Sequence, residues 1–145
     1  MNWLFVLVTA CAGILMSLQA GVNGALGKKT GTIEGAFISF AIGTLVLLLT
    51  VLFFGKGNSL LSVLTVPKWQ LLGGFLGAVY VTVMVIAAPK IGVGSALLAS
   101  IAGQMVASTL IDHFNLFGGK QIPIDWKRIT ALLLIAAALY LFNKK

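Results

Sequence analysis

Gln19 and Asn23 stand four residues apart, and Ser100, Gln104, Ser108 and Asp112 repeat at the same interval, so each set falls along one face of a helix. Both sets interrupt stretches otherwise made of Leu, Ile, Val, Ala and Gly. An amide or hydroxyl in such surroundings costs free energy unless something binds it, which makes each one a candidate for function. Two readings stand side by side. In one, Ser17, Gln19, Asn23, Ser100, Gln104 and Ser108 line a cavity where amides and hydroxyls hold a small solute, with Gln19 and Gln104 foremost. In the other they make hydrogen bonds between helices, worth about 0.6 kcal/mol on average in one membrane protein.

Proton-coupled transport also needs a group that titrates, and the candidates are Glu34, Asp112 and His113. Glu34 opens the second apolar stretch, where a helix N-terminus and nearby Lys28 and Lys29 attract a carboxylate; Asp112 and His113 close the fourth, where His113 suits the helix C-terminus and Asp112 opposes it. Anchoring a helix end is the plainer role for such a carboxylate. None of the acids falls in the middle of an apolar stretch, which argues against a buried countercharge for lipophilic cations.

Enzyme chemistry is not expected. The chain has one histidine, no paired carboxylates, no Ser/His/Asp set that can be brought together, and no glycine loop ending in Lys-Ser/Thr. The single Cys11 excludes an internal disulfide and any metal site built on several thiolates, and reads as a packing residue. Neither a metal nor a cofactor is expected.

The elements that must carry these residues follow from composition. Of 145 residues 59% are hydrophobic and 9% charged, with a mean hydropathy of +1.08; soluble domains carry about 25% charged residues. The chain is therefore expected to be an all-α integral membrane protein whose partner is the lipid bilayer. The net charge of +7 is spread between apolar runs rather than gathered in a patch, so it reads as membrane anchoring and orientation and not as nucleic-acid binding. A crossing takes about 20 apolar residues. Spans are predicted over 3–26, 33–54, 69–88, 91–111 and 126–142, making 1–145 a single transmembrane domain. The turn Gly27-Lys28-Lys29-Thr30-Gly31 joins the first two as an antiparallel pair, Leu60-Leu61 and Val63-Leu64 in the next link lie at the interface, and Pro89-Lys90 breaks the third span from the fourth. The fifth is short, so its flanking basic residues must snorkel or the bilayer thin. Val8-Thr9-Ala10-Cys11 is loosely like a lipoprotein cleavage box, but no basic region precedes it and the apolar run continues past it, so the first span is expected to be retained.

Trp3, Trp69 and Trp126 open the first, third and fifth spans, which an up-and-down path of five crossings sets at one interface. The same path puts Lys56, Lys68, Lys120, Lys127 and Arg128 on the N-terminal side and Lys28, Lys29, Lys90, Lys144 and Lys145 on the other, five against five. Since Lys/Arg asymmetry sets orientation, the balance predicts insertion both ways up and an antiparallel homodimer; weighting by loop length and span order would instead select one topology. Small residues also recur at intervals of four, among them Gly73, Gly77 and Gly103, and are read as close-packing positions, or as smooth surfaces on which helices slide.

Several short segments then stand out together: Gln19-Ala20-Gly21-Val22-Asn23-Gly24 with Leu26-Gly27, Ala88-Pro89-Lys90-Ile91-Gly92, Gly103-Gln104, and Ile111-Asp112-His113-Phe114 with Leu116-Phe117-Gly118. In order and spacing the chain resembles the YdcZ-like family of bacterial inner-membrane proteins, within the drug/metabolite transporter superfamily. The resemblance implies a half-transporter repeat of about five helices that pairs with a second copy or a paralogue to export small molecules. It is distantly similar to the small multidrug resistance proteins, which carry a glutamate in the first helix that binds proton and cation in turn; here the polar positions are Gln19 and Asn23, and cation export is not carried over. The expectation is a multi-pass secondary transporter of the bacterial inner membrane, its first and fourth helices lining a midplane cavity for a neutral, zwitterionic or anionic solute. A passive dual-topology ion channel and a non-transporting assembly subunit are the alternatives.

Overall fold

A computed structural model of the chain describes residues 2–55 and 57–144; Lys56 and Lys145, counted in the charge balance, lie outside the described residues. Five α-helices follow one another: α1 Trp3–Thr30, α2 Thr32–Phe54, α3 Leu72–Ile91, α4 Val93–Phe114 and α5 Trp126–Asn143. Short 3-10 helices over Gly57–Leu64 and Lys68–Leu71 connect α2 to α3. Among the described residues there is no strand, and five helical stretches are long and apolar enough to cross a membrane. The all-helical membrane architecture read from the sequence is thus the one observed.

Helix is the form these segments must take in lipid, because it satisfies every backbone N–H and C=O within the segment. The apolar side chains do not turn inward to make a core: the share of each span that is buried runs only from 0% to 22%, so most of each surface is left for lipid or another chain. At 1.5 Å per residue, α1 is about 42 Å long and exceeds the hydrocarbon core, whereas α5 at about 27 Å barely reaches across it.

Two boundaries differ from the sequence reading. The five-residue turn expected at 27–31 shrinks to Gly31 alone, at φ 101°, because Lys28, Lys29 and Thr30 complete the last turn of α1. Lysines at a helix C-terminus favour its dipole and extend the helix toward water instead of ending it. Pro89 likewise does not break α3, which continues to Ile91; the break falls on Gly92, at φ 88°, and α4 starts after it. Proline removes one hydrogen bond and is tolerated here, whereas a positive φ, open to glycine, leaves helical geometry altogether.

The chain forms two compact units, Met1–Lys90 and Ile91–Lys145. In the first, Ala36 of α2 packs with Val81 and Val85 of α3, flanked by Phe40 and Tyr80. Gly27 and Gly35 let α1, α2 and α3 converge there: a Cβ at Gly35 would come within 2.9 Å of the Gly27 backbone, and one at Gly27 would strike Val85. In the second unit α4 and α5 pack as a pair, with Gly94 beside the Phe142 ring, and α5 is capped by Asp125, whose Oδ1 accepts the Arg128 N–H at 2.9 Å.

Candidate functional site

Seven of the hydroxyls in the spans bond to carbonyls of their own helices. Ser17 donates to the Gly13 carbonyl at 3.1 Å, Ser108 to Met105 at 3.2 Å and Thr109 to Met105 at 2.7 Å. Thr9, Thr50, Thr82 and Thr130 do the same one turn back. Back-bonding of this kind lets a hydroxyl sit in lipid without a partner on another helix.

The amides divide differently. On α4 the Gln104 Nε2 donates to the Ser100 Oγ at 2.9 Å, so those two predicted residues meet along one helix face. On α1 neither Gln19 nor Asn23 has a side-chain hydrogen bond to any described residue, although Asn23 is only 6% exposed. Both border a pocket of about 10 Å³ with Met16, Ala20, Tyr80, Val81 and Met84, large enough for about one water. Among the described residues no buried side-chain nitrogen or oxygen lacks a partner, and Gln19 is exposed, so the α1 amides offer accessible donors and acceptors rather than a buried deficit.

Tyr80 and Met84 were not singled out in the sequence. Tyr80 carried a usable signal, being one of two tyrosines and lying in the middle of an apolar span; Met84 carried none. Missed as well was Arg128, the one arginine beside nine lysines. Its Nη1 lies 3.2 Å from the Asp112 Oδ2, joining α5 to the end of α4. This pair closes a cleft of about 230 Å³ between the two helices, lined by Met105, Ser108, Thr109, Asp112, Arg128, Ala131, Leu132 and Ile135. Ser108 and Asp112 thus share a cleft, as their spacing suggested.

His113 is engaged by the loop that follows α4. Its Nδ1 accepts the Ile124 N–H at 3.1 Å, its carbonyl accepts from Gln121 at 3.1 Å, and the Asp112 carbonyl accepts from Ile122 at 3.0 Å. Glu34 folds back over Gly31, so closely that a Cβ at that position would collide with its carboxylate. Of the packing glycines, Gly77 lies against the Phe40 ring, while Gly73 and Gly103 have nothing within 4 Å of a built Cβ. Among the described residues no three of His, Cys, Asp and Glu gather where they could hold a metal ion.

A family model described as "Putative inner membrane exporter, YdcZ" matches residues 4–141, from the first turn of α1 to the last turn of α5. Neither the curated proteins nor the solved structures yield a match to the chain. A match to an exporter family implies a transporter rather than an enzyme.

Proposed function

The chain belongs to the YdcZ family of inner-membrane exporters, in the drug/metabolite transporter superfamily, and from that premise we propose that it is a secondary active transporter exporting a small neutral, zwitterionic or anionic solute by alternating access. The observation that carries this reading is the α1 amide pair. Gln19 and Asn23 border one small pocket from successive turns of α1 and hold no side-chain hydrogen bond to a described residue, which leaves their donors and acceptors available to a solute. An amide donates and accepts, so it suits hydroxyl, amide, amino and carboxylate groups alike, and no acid in the middle of a span selects for a cation. The second unit carries a polar face of its own through Ser100 and Gln104.

We assign proton coupling to Asp112. Glu34 lies folded against Gly31 at the start of α2 and His113 is held by the α4–α5 loop, whereas Asp112 borders an open cleft through a pair with Arg128 that is only partly buried. The working unit in this reading is an antiparallel homodimer, or a heterodimer with a paralogue, which the five-to-five distribution of basic residues supports.

The test is a thermal-stability screen of the purified chain against sugars, neutral and zwitterionic amino acids, and small carboxylates. A solute bound by the folded protein at a hundred times its Kd adds about 2.7 kcal/mol to its stability. The expected result is a solute that raises the midpoint of the wild type but not of Gln19→Ala or Asn23→Ala. A solute that stabilises all three equally would remove the amide pair from the site.

A further inference from the structure

The first unit contains a second cleft, of about 230 Å³, where α1 and α3 end and α2 begins. Lys28 and Lys90 both border it, Thr32 adds a hydroxyl, and Val85, Ile86 and Pro89 form an apolar wall. Neither lysine makes an ion pair with a described residue, and no carboxylate lines the cleft, since Glu34 is turned over Gly31. Two lysines thus border one cleft that has an apolar wall and no carboxylate in its lining. We propose that this cleft holds the phosphate of one anionic phospholipid, with Lys28 and Lys90 on the headgroup and the acyl chains passing down the exposed Ile86 and Val83.

Three observations favour a lipid over a free anion. The lysines terminate membrane-spanning helices, which sets them at headgroup level. The wall below them is apolar, and Ile86, 42% exposed, extends it outward. The cleft is also smaller than the roughly 300–1,000 Å³ pockets that enclose a whole ligand, so it grips a headgroup whose chains stay outside. Basic pockets between membrane helices recognise anionic lipid in this way.

The experiment is native mass spectrometry of the full chain in detergent with phosphatidylglycerol, zwitterionic phosphatidylethanolamine, or soluble glycerol 3-phosphate. The wild type should retain one phosphatidylglycerol in preference to phosphatidylethanolamine. The double variant Lys28→Gln/Lys90→Gln should lose that preference by on the order of tenfold. Lys29→Gln/Lys68→Gln, which removes the same charge elsewhere, should keep it, and Lys28→Arg/Lys90→Arg, which preserves the charge, should keep most of it. Equal loss in the control pair would mean diffuse attraction and overturn the site. So would equal retention of the two lipids, or displacement of phosphatidylglycerol by an equal concentration of glycerol 3-phosphate. Solute transport is not involved in any of these readings, so the lipid site stands or falls apart from the proposed function.

Discussion

Polar side chains in these spans differ in where their protons go, and that difference ranks them. Ser17 and Ser108 return theirs to their own helix, so Ser17→Ala and Ser108→Ala should each change stability and flux little, within about 0.5 kcal/mol by thermal unfolding. Asn23 is the opposite case: its amide has no hydrogen bond within α1 and borders the pocket. Asn23→Leu keeps the volume and removes the amide, and should abolish transport while shifting stability by less than about 1.5 kcal/mol. A larger loss of stability would mean the amide is structural. The i, i+4 spacing made Gln19 and Asn23 legible as a pair. It did not reveal that Ser17 is satisfied by Gly13, because side-chain to backbone bonding depends on the rotamer and leaves no trace in spacing. Tyr80 and Met84 were hidden for another reason: they reach the pocket from α3, and nothing local records which helices meet.

At the level of elements, glycine conformation rather than lysine or proline content decides where helices stop. Gly31 and Gly92 have positive φ, and each separates two spans by a single residue. Gly92→Ala meets no neighbour within 4 Å, so its effect isolates backbone strain, expected at about 1–2 kcal/mol of lost stability. Gly35→Ala tests packing instead, since its Cβ would press on the Gly27 backbone at 2.9 Å, and it should cost about 1–3 kcal/mol or disrupt the α1–α2 pair. Thermal unfolding in one detergent separates the two, with Gly43→Ala, at an open position, as the neutral control. The helix starts were legible, Trp3 and Trp126 opening α1 and α5. The end of α2 at Phe54 was legible too, but the end of α1 was not: Gly27, expected in a turn, is a contact point inside α1, a role fixed by Val85 from α3 and Gly35 from α2. Gly73 and Gly103, read as packing positions from their four-residue recurrence, meet nothing within 4 Å, since periodicity marks a smooth face without saying whether a neighbour lies on it.

For the whole molecule, length and hydropathy were enough to establish a multi-pass membrane protein, and the match over residues 4–141 places it in the YdcZ inner-membrane family. Orientation is a separate claim. An up-and-down path of five crossings would put five basic residues on each side, so cysteine labelling from one face should reach about half the molecules, with Cys11 replaced and a single cysteine placed in a C-terminal tag; labelling of nearly all or none would reject dual insertion. Adding two lysines to the Gly118–Gly119 loop should drive the population to one orientation. Coupling has its own readout: Asp112→Asn should leave solute binding intact but remove stimulation of flux by a pH gradient. The central claim is that solute crosses in contact with the α1 amides. It is tested most directly by uptake into proteoliposomes, as a function of concentration, of the solute that stabilises the wild type. Saturable uptake driven by a proton gradient is expected, with kcat/KM lowered on the order of tenfold in Gln19→Ala and in Asn23→Ala. Uptake that rises linearly with concentration and follows voltage, or that is unchanged in both variants, would contradict it.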